Sequence, residues 1–84
     1  MKTVFLDGAE LSHDTLAAAL EFPAYYGRNL DALQDCLGNI CEPTAIVIEN
    51  PGAILPEGRR ILAVLRDCAA ENSCITVYLA ARLR

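Results

Sequence analysis

Three short apolar runs limit what this chain can fold into. Thr3-Val4-Phe5-Leu6, Thr44-Ala45-Ile46-Val47-Ile48-Glu49 and Ile75-Thr76-Val77-Tyr78-Leu79 are each of strand length and rich in β-branched residues. The middle run is almost continuously apolar, the pattern of a buried strand. Helical segments separate the three, and strands separated by helices imply a parallel sheet with right-handed crossovers. The expected fold class is therefore α/β, a three-stranded parallel sheet flanked by helices, in one domain over residues 1–84.

The helical segments follow from local signals. Asp7-Gly8 closes the first strand, and Ser12 or Asp14 caps an alanine-rich helix through Thr15–Leu20 that Pro23 ends. Asn29 caps a second helix, and Gly38-Asn39 supplies a left-handed stop. Asn50-Pro51-Gly52 breaks the middle strand. Pro56-Glu57-Gly58 then opens a helix running to about Asn72, with Ile61, Val64, Leu65 and Cys68 on its apolar face. Residues 80–84 form a basic tail expected to fray.

The second helix has two faces. Leu30, Leu33 and Leu37 recur at i, i+3 and i+7, while Asp31, Gln34, Asp35 and Gly38 lie roughly opposite. One face docks on a core, and the other shows two carboxylates about one turn apart, ~6 Å. Asp31 gains from the helix dipole; Asp35 does not, and repels Asp31 at a cost of a few tenths of a kcal/mol. A solvated face tolerates that cost, so the two acids alone do not mark a site. Two adjacent tyrosines, a glycine and a capping Asn beside them point to a surface that meets a partner. The last helix repeats the oddity: Asp67 and Glu71 fall at i, i+4 in its final turns, where the dipole disfavours negative charge.

The run Pro23-Ala24-Tyr25-Tyr26-Gly27-Arg28-Asn29-Leu30-Asp31-Ala32-Leu33-Gln34-Asp35-Cys36-Leu37 resembles the signature of the barstar family, proteinaceous inhibitors of small bacterial ribonucleases. The resemblance implies a barstar-like fold and an intracellular inhibitor that blocks the enzyme's active site with an acidic helix face. It places Tyr25, Tyr26, Gly27 and Asn29 at the approach to the site, Asp31 and Asp35 as central acids, and Gly38 and Asn39 as the backbone-presenting end of the helix. Asp67 stands where the family's pattern has Glu, and Glu71 matches a peripheral acid. Gln34 stands where the family places tryptophan, in the middle of the contact face.

Charge fits such a partner. The net charge is −4, and between Arg28 and Arg59 there is no Lys or Arg while Asp31, Asp35, Glu42, Glu49 and Glu57 fall there. That balance argues against direct nucleic-acid binding and permits a basic protein steered in by opposite potential. A carboxylate also copies the charge and fork geometry of a phosphate, which a ribonuclease site is built to hold. The implied partner is a small basic, barnase-like ribonuclease, met by a monomer.

Other classes find less support. No apolar run nears the ~20 residues of a membrane span, and Val4-Phe5-Leu6 is too short for a signal-peptide core, so a cytoplasmic location is expected. Cys36, Cys41, Cys68 and Cys74 contain no C-x-x-C and read as free thiols. The lone histidine, His13, leaves no zinc ligand set and reads as a helix-start surface residue. Asp31, Asp35, Asp67 and Glu71 would be the acids of a divalent-metal hydrolase, but no phosphate loop or nucleophile–base set accompanies them. The expectation is no enzyme, no cofactor and no metal. The alternative reading keeps the scaffold but gives it another basic partner, a different toxin or a regulatory protein.

Overall fold

The computed structural model describes residues 1–80, and Ala81–Arg84, most of the expected tail, lie outside the described residues. The chain runs β1 (Lys2–Asp7), α1 (His13–Leu20), α2 (Leu30–Gly38), β2 (Thr44–Glu49), α3 (Pro56–Glu71) and β3 (Ile75–Ala80), with 3-10 turns at Gly8–Glu10 and Pro51–Ala53. The sheet order is β1-β2-β3 with both pairings parallel, as expected. The most apolar strand is the central one because it alone pairs on both edges. Ala80 belongs to β3, where its carbonyl accepts from Asn50 N at 3.1 Å, and not to a tail.

Register explains the burial pattern. Val4 pairs with Ile46 and Ile46 with Val77, and Leu6 with Ile48, so their side chains share one face of the sheet. Leu16 of α1, Leu33 and Leu37 of α2, and Ile61 and Leu65 of α3 are fully buried in one cluster with that face. The opposite row, Phe5–Val47–Tyr78, is less covered, with Phe5 at 64% and Tyr78 at 54% exposure. Apolar residues in these strands thus exceed what the helices bury.

Caps set the helix limits. Ser12 and Thr15 form a reciprocal capping box, so Ser12 and not Asp14 starts α1. The stop is Glu21, left-handed at φ 58°, ψ 45°, ahead of Pro23. Gly8 is the tightest turn: a Cβ there would meet Asn50 O at 2.5 Å and Ile54 Cγ1 at 2.9 Å.

The end of α2 corrects an expectation. Gly38 is helical and Asn39 is right-handed (φ −89°, ψ −2°), so there is no left-handed stop. Asn39 N and Ile40 N close local bonds to Cys36 O and Leu37 O, and the rest of the fold adds to them. Asn72, the C-cap residue of α3, donates through Nδ2 to Leu37 O at 3.1 Å and to Ile40 O at 3.0 Å, while its Oδ1 accepts from Cys74 N at 3.0 Å. One side chain therefore ties α2, α3 and the start of β3 together. Asn72→Ala removes all three bonds and is expected to lower unfolding stability by about 2–3 kcal/mol, read from urea denaturation. A loss under about 0.5 kcal/mol would show that water replaces the side chain.

Candidate acidic binding face

The approach to α2 is built around Tyr26. A turn with Tyr26 N donating to Pro23 O at 3.0 Å drives its ring inward to 6% exposure, against Phe22 (centroids 5.0 Å) and His13 (5.8 Å). Its hydroxyl and His13 Nδ1 share a 2.6 Å hydrogen bond. Burial pushes the phenol's pKa up, the nearby Cys36 adds to the rise, and Arg28 opposes it. His13 is thus part of the core's edge and not a bare surface residue. Tyr26 anchors the loop from inside, while neighbouring Tyr25 is 88% exposed.

The chain then turns through Arg28, left-handed at φ 52°, into Asn29. Asn29 Oδ1 accepts from Ala32 N at 2.7 Å, the cap read from sequence, and Nδ2 donates to Gly27 O at 3.4 Å. Leu33 and Leu37 dock α2 on the core, but Leu30 is 36% exposed, because the first turn projects beyond the sheet-side cluster. The opposite face is open: Asp31, Gln34, Asp35, Gly38 and Asn39 are all exposed, and a Cβ on Gly38 would meet nothing within 4 Å.

Two grooves flank this face. On one side Asp35, Tyr25 and Asn39 line a depression of about 310 Å³ with Pro23 and Ile40. On the other, Gln34 and Gly38 line one of about 510 Å³ with Glu71 and Asn72. The fold therefore brings Glu71 to the α2 face, as α3 packs beside α2. Asp67 lines a separate depression together with Arg59 and Arg66. Asp31 stands exposed in the first turn.

Two of the protein's cations, Lys2 and Arg28, are engaged elsewhere. Arg28 Nε donates to Asp14 Oδ1 at 2.5 Å, and Lys2 Nζ to Glu21 Oε2 at 2.8 Å. Each pairing shifts one partner: Asp14 raises the Arg28 pKa, and Lys2 lowers that of Glu21. Among the described residues no ion pair engages Asp31, Asp35, Asp67 or Glu71. Nor do three His, Cys, Asp or Glu side chains gather there into a group that could hold a metal. Among the described residues no helix is long and apolar enough to cross a membrane.

Sequence reasoning missed two features of this region. The His13–Tyr26 bond joins residues 13 apart, and the Asn72 tie to α2 spans 32 and 35. Neither separation has a periodic signature; an Asn at a helix end was the only hint of the second.

Comparison with known proteins identifies the family. A family model described as Barstar (barnase inhibitor) matches residues 2–80. A relative from Bacillus subtilis (strain 168), named "Putative ribonuclease inhibitor YrdF", is 46% identical over 56 residues, 60% of this chain and 62% of the relative. The match thus spans less than two thirds of that relative's length. The family is one of inhibitors and not of enzymes. With a family match over nearly the whole described chain, on the fold and helix expected of it, this protein belongs to the barstar family.

Proposed function

We propose that this protein is an intracellular ribonuclease inhibitor that covers the active site of a small basic, barnase-like enzyme with the exposed face of α2. One observation carries the reading: Asp31 and Asp35 point outward from a helix locked by Leu33 and Leu37, and no cation among the described residues engages them. A site made to hold phosphate with Arg, Lys and His would accept such carboxylates in its place. Inhibition is then competitive and non-covalent. Tyr25 supplies an aromatic edge, Gln34 the middle of the face, and Gly27 and Asn29 its approach. Gly38 and Asn39 offer exposed backbone, Glu71 closes the far groove, and Asp67 lies at the periphery.

A second reading gives the same face to a different basic protein. Gln34 favours it, because an exposed amide at the centre of the face supplies no aromatic anchor. Titrating the purified protein into a panel of small basic bacterial ribonucleases, with RNA cleavage as readout, decides between them: inhibition of none would leave the second.

Three outcomes are expected with a cognate enzyme. Asp35→Ala strands cations in the partner's site and weakens binding by about 3–5 kcal/mol, more than a hundredfold, whereas exposed Asp14→Ala changes it by less than about 1 kcal/mol. Equal small effects would remove the α2 face from the interface. Association slows as salt rises, since steering is screened over ~8–10 Å near physiological ionic strength; a stopped-flow rate flat with salt would count against steering. Gly38→Ala splits the readouts. It stabilises the free fold by a few tenths to about 1 kcal/mol, because a helical glycine in open space gains from a methyl. It also weakens binding by about 1–3 kcal/mol, because that methyl stands where a partner would meet backbone. Unchanged affinity would place the partner off Gly38.

A further inference from the structure

Three of the four free cysteines, Cys41, Cys68 and Cys74, line the groove beside Gly38 and Glu71. They are not equivalent. Cys41 is exposed on the α2–β2 connection, and its thiol donates a long 3.6 Å bond to Asn39 O. Half-buried Cys74 immediately precedes β3, and its thiol donates to the carbonyl of Cys41 itself at 3.1 Å. The main chain there is pinned on both sides of Cys74, whose N–H donates to Asn72 Oδ1 (3.0 Å) and whose carbonyl accepts from Thr44 N (2.7 Å).

We propose that Cys41 and Cys74 are a thiol pair that a low-molecular-weight disulfide of the glutathione class closes into a reversible intramolecular disulfide. The exposed Cys41, as thiolate, attacks one sulfur of the oxidant; that S–S bond breaks, and one glutathione leaves and takes up a proton. Cys74 then gives its proton to solvent and attacks the Cys41 sulfur of the mixed disulfide, expelling the second glutathione. Two protein thiols are oxidised, and one oxidant disulfide is reduced to two thiols.

Geometry selects this pair. A disulfide needs Cα atoms within about 7 Å. The Cys74 thiol already lies against the Cys41 main chain, so the movement required is the exposed Cys41 side chain turning from Asn39 O. Cys68 is the poorer candidate: it is buried, and burial first, then the carboxylates of Glu71 and Asp67, push its thiol's pKa up. Cys36 lines the other groove, with Asp35 and Tyr25. The new bond would span 33 residues and fix the groove floor beside the end of α2. It forms whether or not the neighbouring face binds a ribonuclease.

The test treats the reduced full-length protein with glutathione disulfide, quenches with acid, alkylates the remaining thiols and maps peptides by mass spectrometry. Alkylatable cysteines are expected to fall from four to two, with a Cys41–Cys74 cross-linked peptide and full recovery on adding dithiothreitol. The oxidised form should melt several degrees higher, because the closed loop restricts the unfolded chain. Cys41→Ser and Cys74→Ser should each abolish the cross-link, and the Cys36→Ser/Cys68→Ser double variant should keep it. A cross-link through Cys36 or Cys68, glutathione held on Cys41 without closure, or no loss of thiols would each overturn the proposal. Should a variant fail to fold, the peptide map of the unaltered protein still decides.

Discussion

The burial of Leu33 and Leu37 governs the rest of the molecule. Both side chains are fully removed from water, each worth roughly 1.5–3 kcal/mol. The repulsion between Asp31 and Asp35 costs only a few tenths. Packing therefore wins easily, and it fixes the rotation of α2 about its own axis. Turning the helix by one residue, about 100°, in one direction would carry Asp31 and Gln34 toward the core and strip their hydration. In the other direction it would replace the leucines with the smaller Ala32 and Cys36. The outward aim of the acids is thus a consequence of leucine packing on the other side.

Rotation alone would not hold the helix in place, and both of its ends are tied. At the N-terminus Asn29 caps the first turn, and Tyr26, fixed by His13 and Phe22, anchors the preceding loop. At the C-terminus Asn72 reaches across from α3 to Leu37 O and Ile40 O. A face held this way loses little further freedom when a partner docks, which lowers the entropic cost of association. Arg28, the cation nearest in sequence to the acids, bonds to Asp14 instead. Among the described residues, Asp31 and Asp35 are therefore left without an ion pair.

The groove between α2 and α3 gathers residues with no common sequence signal. Gln34 and Gly38 come from one helix, Glu71 and Asn72 from the end of another, and Cys41 and Cys74 from two connections. They meet because parallel pairing places Thr44 beside Ile75, which lines up the approaches to β2 and β3. The same register that makes β2 central thus builds the wall on which the acidic face ends.

The three strands, the three helices, the Asn29 cap and the two-faced pattern of α2 were all legible in the residues, because each depends on neighbours within one or two turns. The family was legible too, from the run around Tyr25–Leu37. The tertiary structure alone decided that Tyr26 turns inward while Tyr25 stays out, that Leu30 is left partly exposed, and that α2 ends without a left-handed residue. It also decided that Glu71 joins the α2 groove while Asp67 lines a separate depression with Arg59 and Arg66. The reason is physical: helical period and capping act along a few residues, whereas burial and the pairing of orphaned carbonyls are settled by whatever distant segment packs alongside.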